Sequence, residues 1–168
     1  MKLQSTKTAV LTLDLQMGIL ARGEGFDTTI SNAAKIVNFA RQQQFHIIHI
    51  GLGFSEGHPE IKNSDNMFNT VKQNNLFVKE SKSSQFHPLI VQTHDLIIYK
   101  QRVSAFSENH LNLTLRSLGI ENLVLFGIAT SGIVLSTVTQ AFDLDFNLVI
   151  IQDACFDPDI EVHKIFYT

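Results

Sequence analysis

An aspartate and a lysine, each directly after an apolar run, are the first residues in this sequence that could do chemistry. Asp14 follows Ala9–Leu13, and Lys100 follows Leu96–Tyr99. If both runs are parallel strands with neighbouring ends, both side chains project into one crevice at the carboxyl edge of the sheet. A half-buried Asp–Lys pair can move a proton or fix a polar substrate. The alternatives are an aspartate that caps a turn and a lysine at a solvated strand end.

A turn of small residues, Gly127–Gly132, follows another apolar run and is a candidate for binding an anion. Backbone N–H groups at the start of a helix can receive an oxyanion or a carboxylate. Ala129, Thr130 and Gly132 are the candidate donors. Small residues at a strand-to-helix turn also occur for steric reasons, and the segment lacks the glycine spacing of a dinucleotide-binding turn.

The elements that must position these residues alternate along the chain. The apolar runs do not alternate with polar residues, which is typical of strands buried on both faces of a parallel sheet; they are Ala9–Leu13, Phe45–Gly51, Leu96–Tyr99, Leu123–Gly127 and Leu148–Ile151. Helical patterns lie between them at Thr28–Gln44, His110–Leu118 and Val134–Leu144. The alternation predicts a doubly wound, three-layer α/β/α sandwich around a mainly parallel sheet of five to six strands. The less regular Ser55–Gln92 is interpreted as a long excursion with short helices.

Composition limits the partners and the compartment. The 168 residues fit one domain, 1–168, and the net charge of −3 with no basic run predicts no nucleic-acid partner. No apolar stretch approaches the length of a membrane span, so no membrane partner is expected. One cysteine, Cys155, excludes an internal disulfide and favours a reducing, cytoplasmic compartment.

Together these segments resemble the isochorismatase-like (cysteine hydrolase) superfamily along essentially the whole chain. The resemblance is carried by Thr12–Gln16, Gly53–Phe54, Gly57–Glu60, Lys100–Phe106, Leu123–Thr137 and Asp153–Ala154. The order and spacing of the Asp, the Lys and the Gly-x-x-Thr turn are specific. The resemblance implies the three-layer fold, a small-molecule substrate and a cis peptide bond between Ile128 and Ala129.

The resemblance also implies a catalytic set of Asp, Lys and Cys, in which the Asp is Asp14 and the Lys is Lys100. The nucleophilic cysteine belongs at the end of Gly-x-x-Thr-x-x-Cys, and here that position is Ile133. An isoleucine has no nucleophilic atom, so the thioester route of amidases in the family cannot operate. Isochorismatase proper offers a precedent without cysteine, in which the Asp is thought to protonate an enol ether and water completes the hydrolysis.

Candidate substrate-binding residues lie just after the strands. They are Gln16, Phe54, Arg102 and Phe106, which together with Ile133 would suit a small planar or cyclic molecule. Arg102 lies in the stretch that resembles Lys-x-Arg-x-Ser-Ala-Phe and could pair with a substrate carboxylate. The alternative is a structural arginine tied to a helix end or a carboxylate. Cys155 is interpreted as a buried structural thiol rather than a substitute nucleophile.

No metal or other cofactor is expected. Nicotinamidases carry Asp-x-His after the second strand, where this chain has Gly51-Leu52-Gly53. His46 and His49 lie three residues apart in a predicted strand and therefore face opposite sides of the sheet. Family members usually continue into a sixth strand, and the last residue here is Thr168. We expect either an exposed sheet edge or one covered by a partner, and favour a homo-oligomer.

Two functions from different classes follow. The first is a small-molecule hydrolase that uses Asp14 and Lys100 without a cysteine. The second is a catalytically inactive binding protein that kept the fold and the pocket, which Ile133 favours. A nucleotide-binding domain is a weaker third reading, because no glycine fingerprint follows the first strand.

Overall fold

The computed structural model describes residues 3–62 and 67–167 of the chain. Five strands are present in this part: β1 (Thr8–Leu13), β2 (His46–Leu52), β3 (Leu96–Lys100), β4 (Asn122–Gly127) and β5 (Asn147–Ile150). The α-helices there are α1 (Met17–Leu20), α2 (Asp27–Gln42), α3 (Met67–Gln73), α4 (Leu111–Ser117), α5 (Leu135–Asp143) and α6 (Ile160–Phe166). A wide helical turn, Thr130–Val134, leads directly into α5. The predicted strands and the three predicted helices agree with these bounds to within two residues.

The five strands form one sheet in the order β3-β2-β1-β4-β5, and every pair is parallel. Right-handed crossovers then place α2 on one face and α4 and α5 on the other, which confirms the predicted three-layer architecture. The chain leaves β1 toward one edge and β4 toward the other. The carboxyl ends of β1 and β4 therefore form the switch point, where α/β sheets open a crevice for ligands.

The strand order corrects one expectation about the candidate pair. Because β2 lies between β1 and β3, the strand ends that carry Asp14 and Lys100 are not neighbours. Lys100 is instead in register with Leu52 at the end of β2. Only a long side chain can cross the width of β2 to reach the end of β1, and lysine has one.

Burial along the sheet follows this order. All six residues of the central strand β1 are buried, whereas β5 is only partly covered. Within the described residues, β5 pairs with β4 alone, so its outer edge has no strand beside it. The homo-oligomer stays a prediction. None of the helices in the described ranges is both long and apolar enough to cross a membrane.

The excursion between β2 and β3 packs as a small second core, although residues 63–66 within it lie outside the described part. Its buried apolar side chains are Leu52, Phe54, Ile61, Val71 and Phe77. Short helices were predicted in this excursion, and its described residues contain one, α3. This second core lies beside the carboxyl ends of β1 and β2 and forms one wall of the crevice.

A buried histidine links the sheet to the loop before β3. The ring of His49 is in contact with Thr12 Oγ1 through Nδ1 at 2.7 Å and with Asp95 Oδ2 through Nε2 at 2.9 Å. Arg41 also pairs with Asp95. These partners fit a neutral imidazole that donates from Nε2 and accepts from the threonine hydroxyl. Thr12 is completely buried inside the sheet, so this Thr–His–Asp chain holds structure and does not face a substrate.

We expect this histidine to make the protein acid-sensitive. Burial lowers the pKa of His49, with Asp95 acting in the opposite direction. The unfolded chain therefore takes up this proton at higher pH than the folded chain, and stability is lost as pH falls below about 6.5. Chemical unfolding of the protein between pH 7.5 and 5.5 should show the loss, and His49→Gln should reduce it. His94→Gln, at an exposed histidine, is the control; an equal reduction there would contradict the assignment.

Candidate active site

Asp14 follows β1 directly and turns its side chain into the crevice. Its backbone has a φ of 55°, a left-handed conformation that aspartate tolerates better than most residues. The Asp14 N–H donates to the carbonyl oxygen of Ile50 at 2.8 Å, which ties the residue to β2. This local geometry fixes the carboxylate at the switch point of the sheet.

Lys100 reaches this carboxylate from the far side of β2. Its Nζ lies 3.0 Å from Asp14 Oδ2 and 3.1 Å from the carbonyl oxygen of Arg102. The side chain of Lys100 is 1% exposed. The prediction that the two charged groups lie within salt-bridge distance is therefore confirmed. A buried ion pair of this kind is held in place by the cost of leaving either charge alone.

The second carboxylate oxygen of Asp14 has a different environment. Oδ1 is buried and has no hydrogen-bond partner among the described residues. Burial raises the pKa of Asp14, while the charges of Lys100 and Arg22 act in the opposite direction. The carboxyl group thus keeps its proton to higher pH than an ordinary aspartate, which favours a role in proton transfer. Oδ1 is the atom left to carry that proton to a ligand.

A close backbone approach brings the turn after β4 to Asp14. A Cβ atom added at Gly127 would lie 2.0 Å from the carbonyl oxygen of Leu13, so this position requires glycine. The N–H of Ile128 donates to the same carbonyl at 3.1 Å. The peptide bond between Ile128 and Ala129 is cis, as the family resemblance implies. The start of the turn is thereby held against the end of β1.

The three candidate backbone donors of the turn have different surroundings. Ala129 and Gly132 line the crevice, and Thr130 does not. The Thr130 N–H already donates to the carbonyl oxygen of Phe156 at 2.9 Å, and its hydroxyl contacts His163 Nδ1 at 2.9 Å. Thr130 is thus placed to hold the turn rather than to receive a substrate oxyanion.

The family resemblance places the expected nucleophile at Ile133, and this residue is buried. It lies in the turn that begins α5, is 2% exposed, and lines the same cavity as Asp14 and Lys100. An alkyl group therefore faces the buried ion pair. The three predicted catalytic positions thus line one cavity, and the side chain of Ile133 has no atom that could attack a substrate.

The crevice is a cavity of about 660 Å³ above the carboxyl ends of β1, β3 and β4. Its size suits a small molecule. Its charged lining residues are Asp14, Arg22, Glu24, Lys100 and Arg102, and its apolar ones include Ile19, Phe26, Leu52, Met67, Phe68, Val71, Val103, Ile133 and Phe156. Arg22 and Glu24 were missed by the sequence analysis. They follow a short helix with no distinctive pattern, so no sequence signal would have singled them out.

Three predicted substrate-binding residues are not among the residues that line this cavity: Gln16, Phe54 and Phe106. The fully buried amide of Gln16 donates to the carbonyls of Leu52 and Ser84 and accepts from the Leu52 N–H. Phe54 packs in the second core, and Phe106 stacks on Phe146 at 6.1 Å between ring centroids. All three side chains are therefore packed within the protein and do not face the cavity.

Arg102 lines the cavity, but its guanidinium is already engaged by the backbone. Its terminal nitrogens donate to the carbonyl oxygens of Gln101 at 2.6 Å and Glu60 at 3.1 Å. The guanidinium carbon also lies 5.7 Å from the centroid of the Phe68 ring. These contacts tie the segment after β3 to the excursion, as expected of the structural alternative for Arg102.

Neither the thiol of Cys155 nor the hydroxyl of Ser136, three residues after Ile133, offers a substitute nucleophile. Cys155 is 5% exposed and is not among the cavity-lining residues. Burial raises the pKa of its thiol, which disfavours the thiolate. Ser136 donates its hydroxyl to the carbonyl oxygen of Gly132 at 2.9 Å, as a residue inside a helix commonly does. In the two described ranges, no group of three or more His, Cys, Asp or Glu could hold a metal ion.

Comparison with known proteins defines the class. The model of the isochorismatase domain matches residues 8–168, and the chain belongs to this family. An isochorismatase family protein of Bacillus subtilis, YwoC, is 31% identical over 159 residues, which cover 94% of this chain and 82% of that protein. The ureidoacrylate amidohydrolase RutB of Stutzerimonas stutzeri is 28% identical over 176 residues, which cover 90% and 71%.

Solved structures show the same fold. A cysteine hydrolase from Pseudomonas syringae pv. phaseolicola superposes with a TM-score of 0.86 at 17% identity, covering 98% of this chain and 84% of that one. An N-carbamoylsarcosine amidase from Thermoplasma acidophilum superposes with a TM-score of 0.79 at 18% identity, covering 96% and 91%. The protein is thus an isochorismatase-family, hydrolase-like protein whose α/β fold matches these structures.

Proposed function

We propose that this protein hydrolyses a small molecule by a cysteine-independent route, with Asp14 as general acid and base and Lys100 as its electrostatic partner. The observation that carries the proposal is the free, buried Oδ1 of Asp14 in a cavity where Ile133 replaces the nucleophile. A chemical step built on this site must use proton transfer and water. Relatives named as amidohydrolases support a hydrolytic reaction.

The proposed reaction begins with Asp14 protonated. Oδ1 gives its proton to the terminal carbon of the enol-ether double bond, which leaves an oxocarbenium ion. Water adds to the electron-poor carbon, and its surplus proton returns to the Asp14 carboxylate, which restores the starting form. The hemiketal so formed then breaks into the alcohol and a carbonyl compound. Lys100 stabilises the carboxylate while it is ionised and holds Oδ2 in place, so that Oδ1 faces the substrate. Enol ethers suit this route best, because they need an acid and no attacking side chain.

The second candidate function is binding without catalysis. It is favoured by one observation: the position that supplies the attacking atom in the family holds the buried alkyl group of Ile133. In that case the apolar cavity would hold a ligand, and the Asp14–Lys100 pair would serve as a polar anchor.

A substrate panel with a thiol control tests the proposal. Amides, esters and enol ethers are offered to the wild-type protein and to Cys155→Ser, each with and without iodoacetamide. We expect turnover of at least one substrate, unchanged within about twofold by the substitution or the reagent, because the buried thiol does not line the cavity. Turnover that iodoacetamide abolishes in the wild type and that Cys155→Ser protects would make Cys155 the nucleophile. Saturable binding without turnover across the panel would establish the second function.

A further inference from the structure

We propose that Arg22 determines substrate specificity by binding a carboxylate, and that the ligand of this cavity is a small anion with an apolar body. The inference rests on the proposed function in placing the ligand in the Asp14 cavity. It goes further by naming the class of ligand and a residue that recognises it. It stands on the charges of the cavity, the support of Arg22 and the chemistry of the walls.

The three cationic side chains that line the cavity differ in how many hydrogen-bond or salt-bridge partners they already have. Lys100 pairs with Asp14, and Arg102 donates to the carbonyl oxygens of Gln101 and Glu60. Within residues 3–62 and 67–167, the side chain of Arg22 has neither a hydrogen-bond acceptor nor a carboxylate within salt-bridge distance. Arg22 is therefore the cationic side chain of the lining whose N–H groups have no acceptor among the described residues.

The helix that precedes Arg22 is held by hydrogen bonds and by packing on the second core. The residue follows α1, whose Met17 N–H donates to Gln85 and whose Gly18 N–H donates to Ser83, both at backbone carbonyls. A Cβ atom added at Gly18 would lie 2.6 Å from the Phe77 ring, so the helix sits directly on the second core. The described contacts thus fix the backbone from which Arg22 extends.

The guanidinium of Arg22 is oriented by an aromatic face. Its Cζ lies 5.3 Å from the centroid of the Phe77 ring, and Phe77 is completely buried. An arginine that lies over an aromatic face can still make a bidentate contact with a carboxylate through its terminal N–H groups. The contact with Phe77 therefore leaves the donors of Arg22 available for a ligand.

The remaining walls select an apolar body of limited size. Apart from its charged residues the lining is mostly aliphatic and aromatic, with Ile19, Phe26 and Ile133 among its members. The effect of Arg22 on the pKa of Asp14 indicates that the two charges interact across the cavity. A ligand that places its carboxylate on Arg22 would put its body against these walls and its reacting bond toward Oδ1.

The test measures binding, so it does not depend on turnover. Fluorine NMR titrations compare 4-fluorobenzoate with 4-fluorobenzamide, two probes of the same shape and different charge. We expect the wild-type protein to bind the benzoate at least about tenfold more tightly, in keeping with charge-assisted hydrogen bonds at a partly exposed site. Arg22→Gln should reduce this ratio to about one, and Arg22→Lys should restore part of it. The preference should weaken at high salt because Arg22 is exposed to solvent.

Arg102→Gln is the matched control, since it removes the other arginine of the lining and should leave the ratio unchanged. A ratio near one in the wild type, or a wild-type ratio that Arg22→Gln preserves, overturns the proposal. Loss of the ratio in Arg102→Gln alone would assign the anion site to Arg102. Failure of the proposed hydrolysis leaves these titrations unaffected, so the two proposals fail separately.

Discussion

Asp14→Asn should lower kcat/KM for the substrate identified in the panel by at least about 100-fold, the usual contribution of a general acid or base. The substitution keeps the shape of the side chain but removes the proton that Oδ1 carries. Binding of the substrate should change far less, because the apolar walls are untouched. Steady-state kinetics and a ligand titration on the same variant separate these two effects.

Loss of folding is the main alternative explanation for an inactive variant. Asp14→Asn leaves the buried ammonium of Lys100 without its partner, at a cost of about 3–5 kcal/mol in comparable cases. Adding Lys100→Met removes both charges together and should recover much of that stability. Activity must stay low in the stable double variant. Asp157→Asn is the matched control, since this buried carboxylate accepts from the Ser131 N–H and is not among the cavity-lining residues.

An unchanged turnover in Asp14→Asn would contradict the proposed mechanism. The pH profile adds a second criterion. Burial raises the pKa of Asp14, so its titration moves toward neutral pH. If the protonated form acts as an acid on an enol ether, kcat/KM falls as pH rises through that pKa. If the ionised form acts as a base on an amide or ester, kcat/KM rises over the same range, and this limb should be missing in the variant.

The sequence predicted the sheet well because its central strands are covered on both faces. The almost entirely apolar run of β1 is typical of a strand that is buried on both faces, and its end located Asp14 at the crevice. The order of the strands in the sheet could not be predicted from the apolar runs. Nothing in the run before Lys100 reveals that β2 lies between it and β1. The pair was nevertheless predicted correctly, because lysine is long enough to cross the intervening strand.

The pocket lining was predicted less well, for a physical reason. Position after a strand places a residue near the crevice, but the partners of its side chain decide which way it faces. Gln16 turns away because its amide meets backbone groups of Leu52 and of Ser84, which is 68 residues distant. Arg22 faces the cavity because the Phe77 ring supports it. The directions of the Gln16 and Arg22 side chains both depend on how the excursion between β2 and β3 folds. No short-range sequence pattern predicts that fold.

The second large effect is expected at the position of the missing nucleophile. In a Cys155→Ser background, Ile133→Cys places a thiol in the turn that begins α5 and in the cavity that Lys100 lines. Backbone N–H groups at the start of the helix and the cation of Lys100 both favour thiolate. The charge of an ionised Asp14 would act in the opposite direction. The thiol should therefore titrate below about 7, compared with about 8.5 for a free cysteine.

The rate of alkylation by iodoacetamide as a function of pH measures this thiol directly. Leu135→Cys in the same background is the matched control, since it places a thiol two residues further along at a side chain that is 43% exposed and does not line the cavity. Ile133→Val controls for lost volume, which costs about 0.5–1.5 kcal/mol. A depressed pKa confined to Ile133→Cys, together with rapid reaction with a small aldehyde, would mean that the site still activates a nucleophile. An ordinary pKa at both positions would mean that the cavity has been rebuilt around Asp14 alone, and acyl transfer to a side chain could then be excluded as its residual chemistry.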